Sequence, residues 1–152
     1  MSRIKKGGAI AALGIAVIGG FEGFRQVAYR DSVGVPTVCY GETRGIRMGM
    51  KFTKAECDEK FVKALDEFAD GIERCVPSAR EMPEPRYIAH LSLAYNIGIG
   101  GYCKSSIARL HNHGDTVGAC NAFLRYNKAG GVTFPGLTRR RKQERAMCLR
   151  EV

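Results

Sequence analysis

The sequence predicts an α+β fold, with a small strand patch near the amino terminus and a larger helical body. Two observations carry this reading. Val33-Gly34-Val35-Pro36-Thr37-Val38-Cys39-Tyr40-Gly41 mixes β-branched residues with Gly and Pro, the pattern of a short strand and turn. From Thr53 onward the apolar residues recur at helical spacing instead. A cleft between the two parts is the natural place for a ligand.

The chain has 152 residues, 45% hydrophobic and 26% charged, which suits one domain with a real core. The same composition excludes a disordered tail or a collagenous repeat. Its first element is residues 7–21, GGAIAALGIAVIGGF, an uncharged run preceded by Arg3, Lys5 and Lys6. No other run of this length is as uniformly apolar, which argues against a polytopic membrane protein. A basic start before a short apolar stretch reads as an export signal. No convincing small-x-small cleavage site follows, and the run continues directly into Phe21-Glu22-Gly23-Phe24. Fifteen helical residues span about 22 Å, short of a hydrocarbon core about 30 Å thick. Nine of the fifteen are Gly or Ala. Residues 1–21 are therefore read as an uncleaved signal and weak, escapable anchor, and residues 22–152 as the folded domain. The flanking cations would keep the amino terminus in the cytoplasm. The alternative is a buried helix in a soluble protein.

Thr53-Lys54-Ala55-Glu56 is a capping box, in which the hydroxyl accepts from the N3 amide and the carboxylate from the cap amide. Cys57, Phe61, Leu65, Phe68 and Ile72 then form one apolar stripe, with acids on the other face. Pro77 to Pro85 interrupts the pattern. Residues 86–97 read as a largely buried helix ended by Gly98 and Gly100. Further helices are expected at 103–112, 115–126 and 138–149.

The formal net charge is +9 and unevenly spread. Residues 54–73 hold three Lys against seven acids, whereas residues 137–152 hold six Lys and Arg against two acids. A basic surface favours polyanions. No zinc-finger spacing or RNP-like aromatic strand accompanies the charge, so no nucleic-acid partner is expected. The Arg139-Arg140-Arg141-Lys142 run reads as a solvated helix face or a surface drawn to an anionic cell wall. Six dispersed cysteines without a C-x-x-C pair fit a disulfide framework in an oxidising compartment better than a metal site. Buried free thiols are the alternative. Six cysteines allow fifteen full pairings. Helix ends expected to meet favour Cys75 with Cys103 and Cys120 with Cys148. His90, His111 and His113 read as helix or turn residues, and neither metal nor cofactor is expected.

Glu22 and Asp31 flank the passage from apolar run to strand patch. Glu22, beside Phe21 and Phe24, is expected to be desolvated, which disfavours its anion. Asp31 opens a polar turn and is expected to stay ionised. Two carboxylates set apart by environment are what glycoside hydrolysis requires. Thr37, on the probable strand, carries a hydroxyl suited to holding a water. Taken alone, the pair reads more readily as a helix-end Glu and a turn Asp.

The order Glu22, eight residues, Asp31, five residues, Thr37, then Val38-Cys39-Tyr40-Gly41 resembles the Glu-Asp-Thr motif of the tailed-phage lysozymes, the phage endolysin family of glycoside hydrolases. The resemblance runs along nearly the whole chain, through Ala94-Tyr95-Asn96-Ile97-Gly98-Ile99-Gly100, Phe123-Leu124-Arg125-Tyr126-Asn127-Lys128-Ala129-Gly130-Gly131 and Pro135-Gly136-Leu137-Thr138-Arg139-Arg140-Arg141. It implies a lysozyme-like fold and a monomeric muramidase acting on peptidoglycan. Glu22 would be the general acid, Asp31 the base or charge stabiliser, and Thr37 the group that positions water. Asn96 and Tyr126 would line the cleft. Two positions depart from the family: Glu42, in Tyr40-Gly41-Glu42-Thr43, stands where relatives often carry His, and Tyr126 stands where Trp is common.

The uncleaved apolar start is similar to that of the signal-anchor-release endolysins. This implies a chain tethered, inactive, in the host inner membrane with its amino terminus cytoplasmic, then released to the periplasm. Glu22 directly follows the anchor, so a tethered chain would withhold it from Asp31 and Thr37. The competing readings are a lytic transglycosylase, which needs no second carboxylate, and a non-enzymatic cationic membrane-active protein.

Overall fold

The computed structural model describes residues 1–151; Val152, the last residue of the expected domain, lies outside the described residues. A turn at residues 3–6 leads into helix α1 (Ala9–Glu22). The antiparallel pair β1 (Arg25–Arg30) and β2 (Pro36–Cys39) follows, and then the long helix α2 (Lys54–Cys75). Beyond a 3-10 turn at Pro77–Glu81 come α3 (Glu84–Ile97), the short α4 (Ile99–Cys103), α5 (Ser106–Asn112) and α6 (Thr116–Ala122). A two-residue-strand hairpin, β3 (Lys128–Ala129) with β4 (Val132–Thr133), precedes the final helix α7 (Pro135–Cys148). This is the expected α+β arrangement of a small sheet patch beside a helical lobe.

The capping box forms as written: Glu56 N donates to Thr53 Oγ1 at 3.1 Å, and Thr53 N donates to Glu56 Oε1 at 2.9 Å. Along α2, Cys57, Phe61, Leu65 and Ile72 are buried, and Phe68 of the same stripe turns to a surface cleft. Helix α3 is buried almost throughout its length and forms the centre of the helical lobe, packed against α1, α2 and α7.

Residues 9–21 are helical, and one face of this helix joins the core. Ile10 and Ile18 are buried with the body, and Ile4 just before them is fully enclosed. The helix is intrinsically poor. Its cap is Gly8 with no side-chain hydrogen bond, no acid lies in its first turn and no base in its last. Packing holds it instead. Gly14 faces Leu65, Ile4 and Ile88, and the absent side chain of Gly19 makes room for the ring of Tyr40. No helix among the described residues is long and apolar enough to cross a membrane.

Several expectations are adjusted. The strand expected within 33–41 is shorter, because residues 31–35 form the turn that returns β1 onto β2. Helix 103–112 begins only at Ser106, where the Ser105 side chain accepts from Ala108 N. Helix 115–126 ends at Ala122 and passes into a 3-10 turn, while the last helix starts at Pro135, whose ring suits a first-turn position. The β3–β4 hairpin was not anticipated, although Gly130-Gly131, both at positive φ (57° and 79°), is a strong two-residue turn signal.

The Arg run is not a solvated face. Arg140 and Arg141 are buried, and Arg139 and Lys142 alone of the four are exposed. Successive helical residues turn through about 100°, so four in a row cannot share one side. Acceptors meet the buried pair: Arg141 forks onto Glu144 (2.5 and 3.2 Å), and Arg140 reaches Ser92. Nor is the acidic side of α2 wholly solvated, since Glu73 is buried under the amino-terminal strap. All six cysteines pair: Cys75–Cys103 and Cys120–Cys148 as expected, and Cys39–Cys57.

Candidate active site

A surface cleft of about 320 Å³ lies where α1 ends against the sheet lobe. It is lined by Glu22, Gly41, Glu42, Thr43, Phe68 and Tyr95, with Arg44 at its rim. Glu22 arrives as the last residue of α1; Gly23, at φ 81°, then turns the chain into β1. The sheet lobe supplies the opposite wall. Cys39, itself at φ 60°, bends the chain out of β2 and is pinned to α2 by its bond to Cys57. Tyr40 stacks on Phe61 (4.5 Å between centroids) and holds Gly41 and Glu42 against the cleft. A larger groove of about 570 Å³ runs between α1 and α7, but its lining contains no carboxylate. The acidic cleft is therefore the candidate site.

Glu22 is not an isolated carboxyl in apolar surroundings, as its neighbours in sequence implied. Arg140 Nη1 donates to its Oε2 at 2.5 Å. Arg140 Nη2 donates to the carbonyl and hydroxyl of Ser92, both at 3.2 Å, and its guanidinium covers the Phe21 ring. The partner lies 118 residues away in the chain, which is why local sequence hid it. The second oxygen, Oε1, faces Gly41, where a Cβ would come within 3.9 Å of it. Burial pushes the Tyr95 phenol up, and the negative charges of Glu22 and Glu42 add to this, so the group remains a neutral hydrogen-bond donor.

Asp31 occupies the turn between β1 and β2. Its Oδ1 accepts from Val33 N (3.0 Å) and Val35 N (2.8 Å), an Asx-type arrangement that leaves Oδ2 uncommitted. Thr37 lies opposite Tyr29 in the β1–β2 ladder and is 4% exposed; its hydroxyl donates to Val35 O at 2.8 Å. Both stand on the hairpin whose continuation, Gly41 to Arg44, walls the cleft, and neither lines the cavity itself. Asn96 is exposed near the end of α3, one position from the cleft-lining Tyr95. Tyr126 is half-buried in the helical lobe, where its hydroxyl accepts from Ser106 N at 3.0 Å. Sequence reasoning did not single out Tyr95, Phe68 or Arg140. Phe68 carried no signal beyond its place in the apolar α2 stripe. Arg140 carried none. Among the described residues no cluster of three or more His, Cys, Asp or Glu is placed to hold a metal ion.

A helical lobe and a small sheet enclosing an acidic cleft define a lysozyme-type glycoside hydrolase. Residues 19–144 match the phage lysozyme family, and the chain belongs to it. It is 40% identical over 149 residues to the SAR-endolysin of Enterobacteria phage P21, covering 94% of this chain and 89% of that protein. Among solved structures it resembles a P22 lysozyme mutant, with TM-score 0.81, 33% identity, and coverage of 91% of this chain and 97% of the other. It also resembles the active form of the P1 phage endolysin Lyz, with TM-score 0.80, 28% identity, and coverage of 96% and 89%. The secreted inactive form of that endolysin shares the fold at TM-score 0.59 and 24% identity, covering 90% of this chain and 92% of that one.

Proposed function

We propose that the chain is a phage endolysin that hydrolyses the β-1,4 bond between N-acetylmuramic acid and N-acetylglucosamine in peptidoglycan, and so lyses the host. The observation that carries this reading is the place of Glu22, a carboxyl at the end of a buried helix, open to the acidic cleft and held through one oxygen by Arg140. With Oε2 committed to Arg140, Oε1 is the oxygen placed to carry a proton to the leaving glycosidic oxygen. Asp31, whose Oδ1 accepts from two backbone amides, acts as base toward water or stabilises positive charge on the sugar. Thr37 donates its own proton to Val35 O, so its lone pairs are free to accept from that water. Asn96 and Tyr126 contribute contacts to the glycan.

The same chain begins life tethered in the inner membrane through residues 7–21, amino terminus inside. While α1 is in lipid, Glu22 is held at the bilayer edge and the cleft lacks its acid. Outward movement of Arg3, Lys5 and Lys6 against the membrane potential costs about 2.3 kcal/mol per charge per 100 mV. Collapse of the potential removes that barrier. The freed segment then docks as in this structure, with Ile4 and Ile18 enclosed by protein. The three disulfides are consistent with a periplasmic destination.

The test is turbidity clearing of outer-membrane-permeabilised Gram-negative cells by wild type and Glu22→Gln. The variant should lose clearing by at least a hundredfold. Clearing retained by the variant would instead support the cationic membrane-active reading. New reducing ends among the products mark hydrolysis, and anhydro-sugar ends a transglycosylase.

A further inference from the structure

The amino-terminal strap makes contacts that a plain charge signal does not need. Ser2 and Ile4 are completely enclosed, whereas Lys5 and Lys6 are exposed. Ser2 Oγ donates to Asp66 and accepts from Lys5 N at 3.1 Å. Arg3 N donates to the buried Glu73 Oε2 at 3.0 Å, an oxygen that also accepts from Tyr87 at 2.5 Å. The Arg3 side chain donates through Nη1 to the carbonyls of Ala79 (3.1 Å) and Met82 (2.7 Å). Its guanidinium lies over the Tyr87 ring at 4.5 Å. Arg80 completes the socket, with Nε 3.2 Å from Glu73 Oε1. A tight corner joins strap to helix: Gly7 N donates to Ile4 O at 2.9 Å, and Gly7 and Gly8 both hold positive φ.

We propose that Ser2, Arg3 and Ile4 form a clamp that sets the axial position of α1, with Arg3 acting as a positioning residue for Glu22. The proposal rests on the reading of Glu22 as the general acid. The clamp grips one end of α1 and the acid sits at the other, about 21 Å along the axis. The helix has no side-chain cap at its start, so that end is anchored only from outside it, by the clamp. Fixing its start therefore fixes where its last residue stands. A displacement of about 1 Å at a reacting group costs on the order of a hundredfold in rate. Arg3 thus has two tasks in succession: with Lys5 and Lys6 it marks the cytoplasmic end, and after release its guanidinium fits the socket.

Arg3→Lys separates the tasks, because it keeps the charge but loses the planar contact and much of the paired carbonyl reach. The full-length chain is released from membranes by collapsing the potential, and kcat and KM on permeabilised cells are measured with amide exchange. Arg3→Lys should insert and release like wild type, then show kcat at least fivefold lower with KM within twofold. Amide protection should fall over residues 9–22 and persist over residues 54–97. Tyr87→Phe, which removes the hydroxyl on Glu73 and keeps the ring, should lower kcat in the same way and more mildly. Wild-type kcat in Arg3→Lys, or protection lost equally throughout the chain, overturns the clamp. A wild-type chain that clears no cells overturns the underlying enzymatic reading instead.

Discussion

Arg140 Nη1 stands 2.5 Å from Glu22 Oε2, tying the last helix to the end of the first. The contact requires α1 packed on the body, so it ties the place of the amino-terminal helix to the cleft. Arg140 is itself anchored by Ser92 on α3, while its Nε has no hydrogen-bond partner and lies 3.9 Å from Glu144.

Replacing Arg140 should therefore affect both folding and chemistry. Arg140→Met leaves the Glu22 carboxylate without its cation, and breaking a largely buried pair of this kind costs roughly 3 kcal/mol. Arg140→Lys keeps the charge but cannot serve Glu22 and Ser92 through one planar fork. Thermal unfolding should rank wild type above Lys above Met, and clearing rates should follow that order. Equal rates for all three would remove Arg140 from the site.

The glycines of α1 should respond in opposite directions. A Cβ at Gly19 meets the Tyr40 ring at 3.0 and 3.1 Å, whereas one at Gly20 meets nothing within 4 Å. Gly19→Ala should lower stability by about 1–2 kcal/mol through overpacking and reduce clearing by the released chain. Gly20→Ala should raise stability by up to about 1 kcal/mol through helix propensity alone. Chemical denaturation of the two variants checks the contrast.

Acid should weaken the fold through His90. This side chain is fully enclosed, with Nδ1 2.7 Å from the Tyr102 hydroxyl, and burial pushes its pKa down to about 3. His111 and Arg86 act in the same direction. The unfolded chain protonates His90 near its ordinary value of 6.5 while the native state does not, so the unfolded state binds the extra proton between about pH 6.5 and 3. This contribution to stability is constant above pH 6.5 and declines as pH falls through that window. In His90→Gln the pH dependence of the melting temperature should be shallower there by about one proton.

Removing the Cys39–Cys57 bond should loosen the sheet wall of the cleft. The bridge closes a sequence separation of 18 residues, for which the chain-entropy account gives roughly 3 kcal/mol. The Cys39→Ser, Cys57→Ser double variant should lose about that much and should also lose activity at temperatures where it remains folded. Cys39 aims Tyr40 to Glu42 at the cleft, so the activity loss should exceed that of the Cys120→Ser, Cys148→Ser variant.

Much of the fold was legible because its signals are local. The Thr53–Glu56 capping box, the α2 stripe and the β-branched run all describe neighbours within a few residues of one another. The Glu22, Asp31 and Thr37 pattern was legible for the same reason, being packed into one short stretch. The three-dimensional partners were not. Tyr95 and Phe68 reach the cleft from α3 and α2, and Glu42 reaches it only because the chain bends at Cys39.

By itself, the sequence determined the α+β class and the family motif, and made residues 7–21 too short and too rich in Gly and Ala for a firm membrane span. Only the tertiary structure decided what those small residues are for in the folded chain. Gly19 lets α1 pack closely on Tyr40, Arg3 finds a socket, and Arg140 turns inward to Glu22. The physical reason is that composition and periodicity report which faces are apolar. Which cation meets which buried acid across 118 residues depends on how the helices stack.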